Sequence, residues 1–133
     1  MSVSHVAIAV RDLPACEEFY TTVLGLPVQR RWPQIEGGDR SVWLDIGGGA
    51  FLALERADSL PAAPKPPGLT EGYVLLALTI GVADRPAWEE SLAAAGVPVV
   101  KRTPYTLYVE DPEGNRIGLS HWPEPAPAAP PKA

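Results

Sequence analysis

The chain repeats itself. The stretch His5-Val6-Ala7-Ile8-Ala9-Val10 returns as Leu75-Leu76-Ala77-Leu78-Thr79-Ile80, with an alanine in register and Leu75 where His5 stood. Each copy is followed by a helix-start signal, Asp12 with Pro14 and then Asp84 with Pro86. An amphipathic run comes next, and each copy leaves through Gly-hydrophobic-Pro-Val, at Gly25 to Val28 and Gly96 to Val99. A repeat of this kind makes the chain two copies of one supersecondary unit.

Within the first copy, His5, Ala7 and Ala9 alternate with Val6, Ile8 and Val10, which is the period of a β-strand with one apolar face. Its second face carries only a histidine and two alanines, as the floor of a hollow would. Asp12 is placed to cap a helix and Pro14 fits its first turn. Cys16, Phe19, Tyr20, Val23 and Leu24 then fall on one stripe, and Gly25 ends the helix. That stripe is expected to cover Val6, Ile8 and Val10 and to leave the His5 face open.

A second strand over Pro27 to Ile35 is irregular, and its side chains cannot be oriented from the pattern. Arg40 to Ile46 alternates cleanly, Gly47 to Gly49 supply a hairpin loop, and Ala50 to Glu55 returns as the next strand. Leu52 and Leu54 then join the helix-facing set, while Phe51, Ala53 and Glu55 share a face with Trp43, Asp45 and His5. The second copy is expected to run as strand Tyr73 to Ile80 and helix Asp84 to Ala95, with Trp88, Leu92 and Ala95 inward. Strands Val97 to Arg102, Tyr105 to Glu110 and Asn115 to Trp122 complete it, with Arg116, Gly118, Ser120 and Trp122 on one face. The expected organisation is therefore a first module over 1–56, a proline-rich linker over 57–72, a second module over 73–122 and a disordered Pro/Ala tail over 123–133.

The net charge of -5 argues against nucleic acid and anionic membrane surfaces, which need clustered Lys and Arg. No apolar run has the roughly 20 residues needed to span a membrane, and no N-terminal apolar run resembles a signal peptide, so the expectation is a soluble cytoplasmic protein. The single cysteine, Cys16, reads as a small buried hydrophobe.

The two βαβββ units, the opening His-x-Ala, the strand ending Leu-Ala-Leu-Glu at Glu55 and the turn Asp-Pro-Glu-Gly-Asn from Asp111 to Asn115 together resemble the vicinal oxygen chelate superfamily. That group includes glyoxalase I, the bleomycin-resistance proteins and the extradiol dioxygenases. The resemblance covers residues 3 to 122 and implies an α+β fold, two modules forming a curved mixed sheet around a cup, in a homodimer. It also implies four metal-ligand positions, which map onto His5, Glu55, Leu75 and Gly118. Leu75 has no lone pair to offer and Gly118 no side chain. His121 is a substitute only if a β-bulge turns it inward, because alternation puts it on the face opposite Gly118.

A catalytic first-row ion takes about three protein ligands, so the expected protein is a metal-free small-molecule binder with no cofactor. Its expected ligand-binding residues are His5, Trp43, Asp45, Phe51, Glu55, Leu75, Gly118 and Trp122. Trp43, Phe51 and Trp122 would wall the pocket, and Tyr105 or Tyr108 would face in from the rim. Asp45 and Glu55 would favour an aromatic or cationic ligand, as in the bleomycin-resistance branch, unless Arg116 points inward. Two alternatives stay open. One is a metal-dependent lyase, isomerase or dioxygenase holding Zn, Ni, Mn or Fe through His5 and Glu55. The other is a metal-free enzyme that uses a hydrogen-bonded His5-Glu55 pair as a base.

Overall fold

The computed structural model describes residues 1–59, 68, 69 and 72–128. Most of the expected linker and the last residues of the tail lie outside the described residues. The chain divides into two compact units, one of residues Met1–Gly72 with Asp111–Gly114, the other of Tyr73–Glu110 with Asn115–Ala133. Among the described residues no helix is long and apolar enough to cross a membrane.

The first unit holds β1 (His5–Val10), α1 (Leu13–Glu18), β2 (Val28–Pro33), β3 (Asp39–Gly47) and β4 (Ala50–Arg56). Its sheet runs β1-β4-β3-β2, with β1 parallel to β4 and the other pairs antiparallel. Asp12 caps α1 as expected, its Oδ1 accepting from the Ala15 N–H at 3.0 Å. The helix then widens into a π-helical turn over Phe19–Val23 and ends at Gly25, whose φ of 75° is the left-handed conformation that a side chain disfavours.

Val10, Leu13, Cys16, Phe19, Tyr20, Leu24, Val42, Leu44, Leu52 and Leu54 are all buried. The helical stripe therefore lies on the sheet face that alternation assigned to it, and each fully buried aliphatic side chain contributes about 1.5–3 kcal/mol. The turn residues Asp111–Gly114 join this unit through polar contacts. The Tyr20 hydroxyl donates to Asp111 Oδ2 at 2.7 Å, and the Arg11 and Asp12 N–H groups donate to the Glu113 carboxylate at 2.7–2.9 Å.

The second unit repeats the plan with β5 (Leu76–Thr79), α2 (Arg85–Ala94), β6 (Lys101–Arg102), β7 (Thr106–Glu110) and β8 (Arg116–Ser120) in the order β5-β8-β7-β6. Leu92, Leu107, Val109, Ile117 and Leu119 form its core. Several elements are shorter than expected. Over 97–102 only Lys101 and Arg102 are strand, because Pro98 has no N–H to give to a ladder.

Asp84 makes no side-chain cap to α2, which is entered instead through a 3₁₀ turn at Val82–Asp84. Ala95 is exposed rather than inward. The tail, expected to be disordered from Pro123, is held at least to Ala126, whose N–H donates to the Pro104 carbonyl at 2.6 Å.

Candidate functional site

Strand register arranges the open face of the first unit as a grid. Across β1, β4 and β3, His5 stands opposite Phe51, which stands opposite Asp45. In the next row Ala7, Ala53, Trp43 and Arg30 lie side by side, and in the third Ala9, Glu55, Ser41 and Trp32. Arg30 and Trp32 reach this face through an irregularity in β2. Val28 pairs with Leu44 and Arg30 with Trp43, so two residues of β2 span one step of β3, and the bulge at Gln29 turns the strand over. Sequence alternation carried no sign of this.

The aromatic side chains form a continuous run over the grid. The His5 ring stacks on Phe51 at 4.6 Å between centroids and 4° between planes. Phe51 stacks on Trp43 at 4.2 Å and 19°, and Trp43 meets Trp32 edge-on at 5.5 Å. The Arg30 guanidinium carbon lies 3.8 Å from the Trp32 ring centroid and closes the run. Ala7 and Ala9 leave a shallow exposed floor beside it. Strands are about 4.8 Å apart, so the run crosses four of them over roughly 14 Å, and a two- or three-ring aromatic molecule would lie flat on part of it.

One expectation about polar groups here is corrected. His5 and Glu55 do not form a pair. Glu55 stands opposite Ala9, four residues along from the row of His5, which is about 13 Å at 3.3 Å per residue. His5 Nδ1 instead shares a 3.0 Å hydrogen bond with Ser4 Oγ, and Glu55 accepts from Ser41 Oγ at 3.0 Å. Asp45 accepts from the Gly47 N–H at 2.7 Å and so closes the β3–β4 turn.

The open face of the second unit has the same middle row in different residues. Ala77, Gly118, Tyr108 and Lys101 lie side by side, as Ala7, Ala53, Trp43 and Arg30 do in the first unit. Gly118 therefore corresponds to Ala53 and not to Glu55, which corresponds to Ser120. The signal was available in the sequence, because Leu52-Ala53-Leu54 aligns with Ile117-Gly118-Leu119. A Cβ on Gly118 would lie 3.1 Å from Thr106 Cγ2, 3.4 Å from Leu75 Cδ1 and 3.5 Å from Ala77 Cβ, so Leu75 and Gly118 are packed neighbours.

Arg116 and Lys101 lie 5.9 and 5.8 Å from the Tyr108 ring centroid, and this places Tyr108 and Arg116 on that face. Trp122 does not join it. β8 ends at Ser120, and Trp122, 68% exposed, meets the Tyr105 ring edge-on at 4.6 Å.

His121, just past the end of β8, is buried beside Arg85 of α2. Its Nε2 accepts from Arg85 Nη1 at 3.0 Å, and its Nδ1–H donates to the Glu124 carbonyl. Both ring nitrogens are used, so His121 has no lone pair to give an ion.

His5 and Glu55 are not placed to share one divalent ion on the open face of the first unit. Two ligands of one ion sit within about 4.4 Å of each other, at roughly 2.0–2.2 Å each, whereas His5 and Glu55 are held on separate partners four residues apart. Among the described residues no three His, Cys, Asp or Glu side chains gather as a metal cluster.

Residues 2–119 match the model of the Glyoxalase/Bleomycin resistance protein/Dioxygenase superfamily. No curated protein matches the chain. Among solved structures, the chain is similar to the trypanothione-dependent glyoxalase I of Leishmania major, at 27% identity over 91% of this chain and 86% of that one, TM-score 0.72. A glyoxalase/dioxygenase from Nostoc punctiforme shares the fold at 23% identity, with 92% of each chain covered and a TM-score of 0.73. The fosfomycin resistance protein FosX of Listeria monocytogenes shares it at 16% identity, with 90% of each chain covered and a TM-score of 0.65. The family-model match spans both βαβββ modules, and the chain belongs to the glyoxalase/bleomycin resistance protein/dioxygenase superfamily.

Proposed function

We propose that this protein is a small-molecule-binding member of its superfamily, one that holds a flat aromatic ligand on the open face of the first unit without a catalytic metal. The observation that carries this reading is the run His5-Phe51-Trp43-Trp32, four stacked or edge-on rings laid across one sheet face beside a floor of alanines. Rings in such contact have already given up the conformational freedom that a binding surface otherwise loses on meeting its ligand. An apolar surface with a few fixed polar groups is the usual composition of a small-molecule site.

The donor set supports the metal-free part of the reading. His5 has stacking and hydrogen-bond partners of its own. The positions that the repeat relates to His5 and Glu55 are Leu75 and Ser120, which offer neither an imidazole nor a carboxylate.

The test is calorimetric titration of a neutral fused-ring probe, naphthalen-2-ylmethanol, into the full chain purified without chelator, alongside metal analysis of the same sample. Saturable binding with substoichiometric transition metal is expected. Stoichiometric Zn, Ni, Mn or Fe that disappears together with probe binding in His5→Ala would overturn the reading.

A further inference from the structure

We infer that the ligand of this face is an aromatic anion, a flat ring system bearing a carboxylate or a similarly compact negative group, with Arg30 as its counter-charge. The inference rests on the aromatic-ligand reading above and deepens it. It runs against what the acidic composition and the two carboxylates on the face suggest.

The charged and titratable groups of the grid are His5, Asp45, Glu55 and Arg30, and they differ in what they are free to do. Asp45 accepts from the Gly47 N–H and Glu55 from the Ser41 hydroxyl, so each carboxylate is held within the sheet while keeping its charge. The Arg30 side chain makes no hydrogen bond or ion pair among the described residues, although Arg31 beside it pairs with Glu17 and Asp39. It lies instead over the face of Trp32, 3.8 Å from the ring centroid.

A guanidinium stacked on a ring uses its π-face and leaves its N–H donors pointing outward in its own plane. Those donors form the fork that a carboxylate meets with two parallel hydrogen bonds. The ring face therefore fixes the orientation of the fork in advance. Register sets its place, because Arg30 is opposite Trp43, beside the Phe51-Trp43 stack on which a ligand ring would lie.

The second unit gives independent support. Its middle row ends in Lys101 against Tyr108 just as the first ends in Arg30 against Trp43, and Arg116 approaches the same tyrosine. A cation beside the row's aromatic residue is thus a property of the repeat and not an accident of one strand. The net charge of -5 repels anions only weakly at this site, because exposed charges beyond about 8 Å are screened at physiological salt.

The experiment titrates the full chain with three probes of one ring system, 2-naphthoate, naphthalen-2-ylmethanol and 2-naphthylmethylammonium. 2-Naphthoate is expected to bind at least tenfold more tightly than the ammonium. Arg30→Gln should collapse the ratio of naphthoate to alcohol affinity, and Arg30→Lys should restore it in part. Equal or tighter binding of the ammonium would overturn the anion inference and leave the aromatic-ligand reading standing. So would a naphthoate preference unchanged in Arg30→Gln. Failure of all three probes to bind would remove both.

Discussion

Phe51 and Trp43 stack at 4.2 Å although neither is the other's partner across the β3–β4 ladder, where Phe51 faces Asp45 and Trp43 faces Ala53. The contact is diagonal, a separation that large rings can bridge and smaller side chains cannot. Ala53 is what allows it, since a longer side chain opposite Trp43 would lift the indole off its neighbour.

Replacing Trp43 with Leu should therefore do two things at once. An aromatic pair is worth about 0.5–1.5 kcal/mol beyond its area, and Trp43 is in contact with both Phe51 and Trp32. The variant should lose about 1–3 kcal/mol of stability in urea titration and most of its affinity for naphthalen-2-ylmethanol. Full retention of probe binding would move the ligand away from this face. Ala53→Phe should block the same contact from beneath, with a similar loss of binding.

Tyr20 and Asp111 offer a second test, on stability alone. Tyr20 is fully buried, and its hydroxyl donates to a carboxylate that also accepts from the Glu113 N–H. Hydrogen bonds to charged groups contribute about 1.5–3 kcal/mol. Tyr20→Phe keeps the ring and removes only the donor, so a loss of about 2 kcal/mol is expected by chemical denaturation, with no change in probe affinity. Glu113→Ala should cost a comparable amount, since it strips the Arg11 and Asp12 N–H groups of their shared acceptor.

Much of the fold was legible because strand alternation and helical spacing act on every residue. Val42, Leu44, Leu52 and Leu54 are buried on the face that patterning gave to the helical stripe, and Trp43 and Phe51 lie on the other face with His5. What escaped depended on pairing rather than on pattern. The bulge at Gln29 reverses β2 and delivers Arg30 and Trp32 to the open face, and nothing in Val-Gln-Arg-Arg-Trp-Pro marks a bulge.

The offset between His5 and Glu55 is likewise a matter of register, which a strand read alone does not contain. Trp122 was misplaced for a related reason. Alternation directs a side chain only while the ladder continues, and here it stops at Ser120.

Gly118 tests whether the face of the second unit can be refilled. Its φ is not in the left-handed range, so substitution costs only what the neighbours must yield. A Cβ 3.1 Å from Thr106 Cγ2 requires a shift of a few tenths of an ångström, and overpacking of this order costs about 1–3 kcal/mol. Gly118→Ala is expected near the lower end of that range, because the flexible end of Leu75 is one of the groups that would move. Gly118→Glu should cost more, and Leu75→Ala should recover part of the loss in a double-mutant cycle.

Cys16 gives a prediction with a definite pH window. Burial, reinforced by the negative charges of Asp111, Glu113 and Asp12, pushes its thiol from 9.0 up to about 12. Below pH 9 the thiol is protonated in both the folded and unfolded chain, and the difference contributes nothing to the slope of stability against pH. Between pH 9 and 12 the unfolded chain releases this proton while the folded chain keeps it. The unfolded state then binds fewer protons, and stability falls as pH rises.

Tyr20, whose phenol is raised by burial and by Asp111, adds to the same decline above its ordinary value of 10.0. Urea midpoints measured from pH 8 to 11 should therefore begin to fall near pH 9 and keep falling above it in the native chain. They should fall less steeply in Cys16→Ala and least in Cys16→Ala combined with Tyr20→Phe, once each is referred to its own value at pH 8. The thiol should also react with a disulfide reagent at pH 8 only as fast as the first unit opens, so added urea should accelerate labelling along with unfolding. Labelling at the rate of a free thiol in the native protein would mean that Cys16 is exposed and would remove the expected slope.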